Sequence, residues 1–129
     1  MPSNSIQEWL SESGLDDIPS NYREATSQDL LLFPGSKKPA VVIEYLGLDG
    51  KAIMEDGVVY RRLRLLSKSD ARYLSMPGFG SHVYVSTYFA SCVQDGKLEY
   101  LVITEGEKKA DKACLSGIPT IAIPGITMW

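Results

Sequence analysis

The stretch that most constrains this chain is residues 98–123, where strand, helix and strand patterns follow one another within about thirty residues. Leu98-Glu99-Tyr100-Leu101-Val102-Ile103 has the nearly continuous apolar content of a parallel strand buried on both faces. Residues 104–116 predict a helix packed through Ala110, Ala113 and Cys114, with Gly117 as the C′ residue that ends it. Pro119-Thr120-Ile121-Ala122-Ile123 predicts the second strand. Such a βαβ unit is right-handed with parallel strands, and other elements must cover its faces.

The upstream residues carry further short elements. Ile6, Trp9 and Leu10 form one apolar stripe of a short helix capped by Ser5 and stopped at Gly14. A second short helix is expected between Tyr22 and Leu32, entered from Ser20 or Ser27, before the loop Pro34-Gly35-Ser36-Lys37-Lys38-Pro39. Residues 40–46 and 58–66 read as strands, the first closed by the Asp49-Gly50 turn. A period of two puts Arg61, Leu63 and Leu65 on one face of the second strand, and Tyr60, Arg62 and Arg64 on the other. Residues 72–76 and 82–86, on either side of Pro77-Gly78-Phe79-Gly80-Ser81, predict a further hairpin. The expectation is an α+β fold in three parts: helical residues 1–39, antiparallel hairpins over 40–97, and an incomplete βαβ unit over 98–129.

Composition narrows the class. With 129 residues, 44% hydrophobic and 22% charged, the chain has enough apolar content for one core and too little net charge for disorder. No apolar run approaches the ~18 residues of a membrane span, and residues 1–5 lack the features of a secretory signal, so the expected compartment is the cytoplasm, with no membrane partner. Cys92 and Cys114 form no CxxC pair and His82 is the single histidine, which argues against a Cys/His zinc site. The spacing leaves a disulfide open, with two reduced, buried thiols as the preferred reading. His82 reads as a strand residue rather than a base, and neither a phosphate-loop nor a GxSxG pattern is present. The end at Gly125-Ile126-Thr127-Met128-Trp129, directly after a strand pattern, suggests a fragment of a longer protein.

A net charge of −3 hides an asymmetry. Residues 1–29 hold six acids against Arg23, whereas Arg61, Arg62, Arg64, Lys68 and Arg72 fall within twelve positions. With Tyr60, Tyr73 and Tyr84 interleaved, this strip can contact phosphates and stack on single-stranded bases. The competing reading is a solvated sheet edge whose charges block further strand pairing.

Chemistry concentrates in Thr104-Glu105-Gly106-Glu107-Lys108-Lys109-Ala110-Asp111, where a carboxylate ends a strand and a helix begins. Open α/β folds place ligands there, Gly106 lets a bulky group approach the backbone, Glu105 and Glu107 can act on a metal-bound phosphate or as a general acid/base, and Lys108 and Lys109 can meet a phosphate. The structural alternative is a capping box in which Thr104 caps the helix and Glu107 bonds back, with the lysines on a solvated face.

These residues resemble the first half of a Toprim domain, the nucleotidyl-transfer and strand-cleavage fold of primases and topoisomerases. The match lies in Ile103-Thr104-Glu105-Gly106, the following helix and Ile121-Ala122-Ile123-Pro124-Gly125. Thr-Glu-Gly-Glu-Lys-Lys-Ala is similar to a Toprim-like family of unknown function found in replication proteins of plasmids, phages and integrative elements. Glu8-Trp9-Leu10, Ile43-Glu44-Tyr45, Tyr60-Arg61-Arg62-Leu63-Arg64 and Gly80-Ser81-His82-Val83-Tyr84 extend the similarity upstream. The resemblance makes Glu105 the acid/base of nucleotidyl transfer and a partial Mg²⁺ ligand. The family's Asp-x-Asp pair, which supplies the main Mg²⁺ ligands, is absent, and Lys109 stands where primases carry an aspartate. The implied protein is the N-terminal part of a mobile-element DNA replication protein, inactive alone, with Mg²⁺ bound only once the downstream motif is present. Its partners would be single-stranded or primer-template DNA and replication proteins such as a helicase. The alternative is a non-catalytic module that binds single-stranded DNA or a replisome partner.

Overall fold

The computed structural model describes residues 2–67, 69, 72–93 and 97–123. They form the expected α+β fold, arranged around a four-stranded antiparallel sheet in the order β1-β2-β5-β6. Its strands are β1 (Tyr22–Glu24), β2 (Ala40–Glu44), β5 (Arg61–Leu65) and β6 (Tyr73–Ser75). A short hairpin, β3 (Met54–Glu55) and β4 (Val58–Val59), precedes β5. A second sheet, ordered β7-β9-β8, holds β7 (Tyr84–Val85), β8 (Val102–Thr104) and β9 (Thr120–Ala122). Helix α1 spans Pro2–Ser11, α2 Ser27–Leu31 and α3 Glu107–Leu115, and Phe89–Cys92 make one 3-10 turn.

Central strand β2 explains the layering. Val41, Val42 and Ile43 are fully buried although they alternate in direction, so both faces of this sheet are covered. Residues directly opposite share a face. Tyr22, Ile43 and Arg62 therefore point one way, as do Val41, Arg64 and Tyr73, toward α1 and α3. Val42, Leu63 and Leu65 point the other way and are fully buried there. One core cluster runs from Ile6, Trp9 and Leu10 of α1 through the sheet to Ala110 and Ala122.

Several expected elements differ. Residues 22–24 form an edge strand rather than a helix, because they pair with Val41–Ile43 of the apolar β2. The second helix is shorter and starts after Thr26, whose hydroxyl accepts from the Asp29 amide while the Asp29 carboxylate accepts from the Thr26 amide. The first helix begins at Pro2, ahead of Ser5. Residues 58–66 are broken at Tyr60, which leaves the strand line to bond Ile53 and Tyr45. Asp56 and Gly57, both at positive φ, make the tight turn between β3 and β4. Residues 72–76 and 82–86 do not pair with each other: β6 joins β5, and β7 joins β9 in the other sheet.

The βαβ unit is present, with β8 and β9 parallel and α3 between them. Gly117 sits at φ +90, and the Ile118 amide bonds back to Ala113, ending α3 as its sequence position implies. Strand β8 is not buried on both faces. It is an edge strand, and Val102 and Ile103 are exposed, since the antiparallel partner β7 lies on the far side of β9. Among the described residues, no helix is long and apolar enough to cross a membrane.

Candidate nucleic-acid interface

The turn from β8 to α3 sorts its charged residues onto two sides. Gly106 is the N-cap of α3 at φ 99, a backbone region that side-chain-bearing residues rarely occupy. Among the described residues no side chain caps this helix, so the Thr104–Glu107 capping box does not form. With Gly106 as N-cap, Glu107 becomes the first helical residue and turns inward.

Glu107 is 1% exposed. The Tyr45 hydroxyl donates to its Oε2 at 2.8 Å, and Arg62 Nη1 lies 3.2 Å from the same oxygen. One turn on, Asp111 is fully buried and accepts hydrogen bonds from the hydroxyls of Tyr22 and Tyr84, the latter at 2.8 Å. Tyr84 in turn accepts from Asn21 Nδ2 at 2.8 Å. Burial pushes the Asp111 carboxyl up to about 6, and the hydroxyl donors hold it below a still higher value. Glu107 and Asp111 thus fasten α3 to both sheets. The i, i+3, i+4, i+7 spacing of Glu107, Ala110, Asp111 and Cys114 carries this buried stripe in the sequence, where two acids disguise it.

The outward side of the same turn is different. Glu105, Lys108 and Lys109 line a cavity of about 580 Å³ together with Arg64 and Tyr73 from the sheet and Trp9, Glu12 and Ser13 from the N-terminal segment. Arg64 lies between two aromatic rings, 5.5 Å from the centre of Trp9 and 5.0 Å from that of Tyr73. Lys108 Nζ sits 4.4 Å from the Trp9 ring and donates to the Trp9 carbonyl at 2.9 Å. Burial, and then the charge of Arg64, pull the Lys108 amine below its ordinary value. Among the described residues neither Arg64 nor Lys108 is in an ion pair. Arg64, Lys108 and Lys109 outnumber the two carboxylates that line the same cleft, Glu12 and Glu105, so the region is positive on balance and attracts anions.

The basic strip divides because neighbouring strand residues alternate faces. Arg64 and Tyr73 reach this cleft. Arg62 lies inward on Glu107, and Arg61 faces the opposite side, 3.5 Å from the Asp29 carboxylate that Arg23 also pairs at 2.6 Å. Arg72 is exposed just before β6, and Lys68 lies outside the described residues. Tyr60 and Tyr84 are buried and offer no stacking face. His82 precedes β7 rather than joining a strand, with Nε2 2.7 Å from a Glu55 oxygen. Trp9, which the sequence marks only as part of a helix stripe, is the unforeseen member of the cleft, because α1 packs across the sheet beside α3.

Mg²⁺ prefers several oxygen ligands in octahedral geometry. Glu105 faces the cleft beside Lys108 and Lys109, while Glu107 and Asp111 are engaged in the core. Among the described residues no three His, Cys, Asp or Glu side chains converge, so the donor set does not by itself fit the metal.

Comparison with known proteins finds one family model over this turn and one relative over part of the chain. A family model described as a domain of unknown function (DUF3854) matches residues 89–129, which include β8, α3 and β9. The Gene 57 protein of Mycobacterium phage D29 is 37% identical over 68 residues, 53% of this chain and 41% of that protein. The aligned stretch therefore spans less than half of the phage protein. No solved structure matches.

Proposed function

We infer that this chain is the N-terminal part of a mobile-element DNA replication protein with a Toprim-like, primase-type unit, and that the cleft between α1, the antiparallel sheet and α3 receives the DNA phosphate backbone. The carrying observation is the convergence of Arg64, Lys108 and Lys109 around one cavity with Tyr73 and Trp9, with Glu105 among its lining residues. Arg64 and Lys108 neutralise phosphate oxygens, and Lys109 extends the positive field toward solvent. Tyr73, half-buried on the cleft wall, presents an aromatic edge to an unpaired base. In the complete protein Glu105 exchanges a proton with the reacting hydroxyl, and any Mg²⁺ relies on carboxylates beyond this sequence. The family model that matches over the Glu105 turn, and the similarity of part of the chain to a phage protein, support the reading.

The second reading, a non-catalytic module for single-stranded DNA or a replisome partner, rests on the same cations and needs nothing from Glu105. Glu105→Gln in the full-length protein separates the two. An enzyme loses nucleotidyl transfer and keeps DNA affinity. A binding module shows no transfer in the parent protein and unchanged affinity in the variant.

A further inference from the structure

The two cysteines are brought together by the fold, although 22 positions separate them. Cys92 ends the 3-10 turn, and Cys114 lies in the last turn of α3. Cys92 Sγ donates to the Cys114 carbonyl oxygen at 3.1 Å, which sets the Cys92 thiol against the residue that carries the second one. Cys114 Sγ is also tied to β9, donating to the Thr120 carbonyl at 3.2 Å and accepting from the Thr120 amide at 3.4 Å. The pair differs in access. Cys114 is buried, whereas Cys92 is half-buried and lines a cavity of about 400 Å³ beside Lys97, Tyr100 and Pro119.

We propose that Cys92 and Cys114 form a redox-active dithiol that closes to an intramolecular disulfide on reaction with a small-molecule disulfide. The Cys92 thiolate attacks one sulfur of oxidised glutathione, the S–S bond of that molecule breaks, and one glutathione thiolate leaves. The Cys114 thiol then loses its proton to solvent and attacks the Cys92 sulfur of the mixed disulfide, expelling the second glutathione thiolate. The chain is oxidised by two electrons and the reagent is reduced to two thiols. Burial raises the Cys114 thiol to about 11, so it ionises more reluctantly and the accessible Cys92 reacts first. The bond joins the 3-10 turn covalently to α3, the helix that carries Lys108 and Lys109.

The test is peptide mapping after equilibration of the folded chain in glutathione redox buffers, acid quenching and alkylation. The expected product in oxidising buffer is a Cys92–Cys114 linked peptide, formed in monomer and reversed by excess reduced glutathione. Cys92→Ser should give no linked peptide, and Cys114→Ser should trap glutathione on Cys92. The wild-type map decides the matter even where Cys114→Ser fails to fold. Both thiols remaining free, a stable glutathione adduct on wild-type Cys92, or disulfides between chains would each overturn the proposal.

Discussion

Arg62 Nη1 of β5 lies 3.2 Å from Glu107 Oε2 at the start of α3, with the carboxylate closed off from solvent and the guanidinium nearly so. The pair fixes which way α3 begins. With Glu107 drawn into the core beside Tyr45, Lys108 and Lys109 take the adjoining outward positions and Glu105 stays exposed on the turn. The inward ion pair and the outward cationic cleft are two sides of one helical start.

Removing one partner of a buried ion pair leaves the other charge uncompensated, at a cost of about 3–5 kcal/mol. Glu107→Gln should lower unfolding free energy in urea by an amount of that order, with Arg62→Ala similar. Replacing both with methionine should cost clearly less than either single change, because no unpaired charge remains. A double substitution as damaging as the sum of the singles would show that the ion pair is not what holds α3.

Asp111 gives a distinct pH signature. Its carboxyl is raised to about 6 in the fold against 3.8 as the ordinary value, so the native state binds the proton more tightly. Its ionised form therefore weakens the fold above pH 6, and stability is regained as pH falls from about 6 to about 4. Every tenfold gain in proton affinity on folding corresponds to ~1.4 kcal/mol. Asp111→Asn should remove this dependence, so the stability of wild type relative to the variant rises across that window. Equal pH profiles for the two proteins would contradict the burial of this group.

Asp29 has the opposite sign. Hydrogen bonds from Arg23 hold its carboxyl well below the usual range, and the Thr26 amide and hydroxyl add to the effect. Its stabilising contribution is present above about pH 4 and is lost as the pH falls further. Asp29→Asn should leave a chain less stable at neutral pH that converges on wild type in acid, as followed by thermal unfolding at a series of pH values.

Arg64 is one reason the Lys108 amine is depressed, after burial. Arg64→Ala should raise that amine toward its ordinary value and slow its acylation by an amine-directed reagent at mildly alkaline pH. Peptide mapping reads the rate at Lys108 against exposed Lys109. An unchanged ratio would place the two cations too far apart to form one anion site.

Much of this was legible in local pattern. The βαβ unit, α1 and the strand at Ala40–Glu44 follow from apolar period, and Gly117 from its place after a helical stripe. Strand β1 was not legible, because Tyr22-Arg23-Glu24 is too short for a period and becomes a strand only beside β2. The separation of Arg61, Arg62 and Arg64 follows from alternation, but their partners Asp29, Glu107 and Trp9 lie 32, 45 and 55 positions away. Glu107 looked like a cap because Thr104 stands three residues earlier. The positive φ of Gly106 moves the helix start and converts that acid into a core group.

The most direct test of the cleft is single-stranded DNA binding by fluorescence anisotropy across a salt series. The comparison is wild type, Arg64→Ala with Lys108→Ala, and Arg61→Gln, whose site faces the other side of the sheet. Affinity of the wild type should fall linearly on a log–log plot, and the double variant should lose about 0.7 from the slope per phosphate contact removed. Arg61→Gln should keep both affinity and slope. A flat salt response, or equal losses at Arg61 and Arg64, would contradict a DNA-binding cleft at this turn.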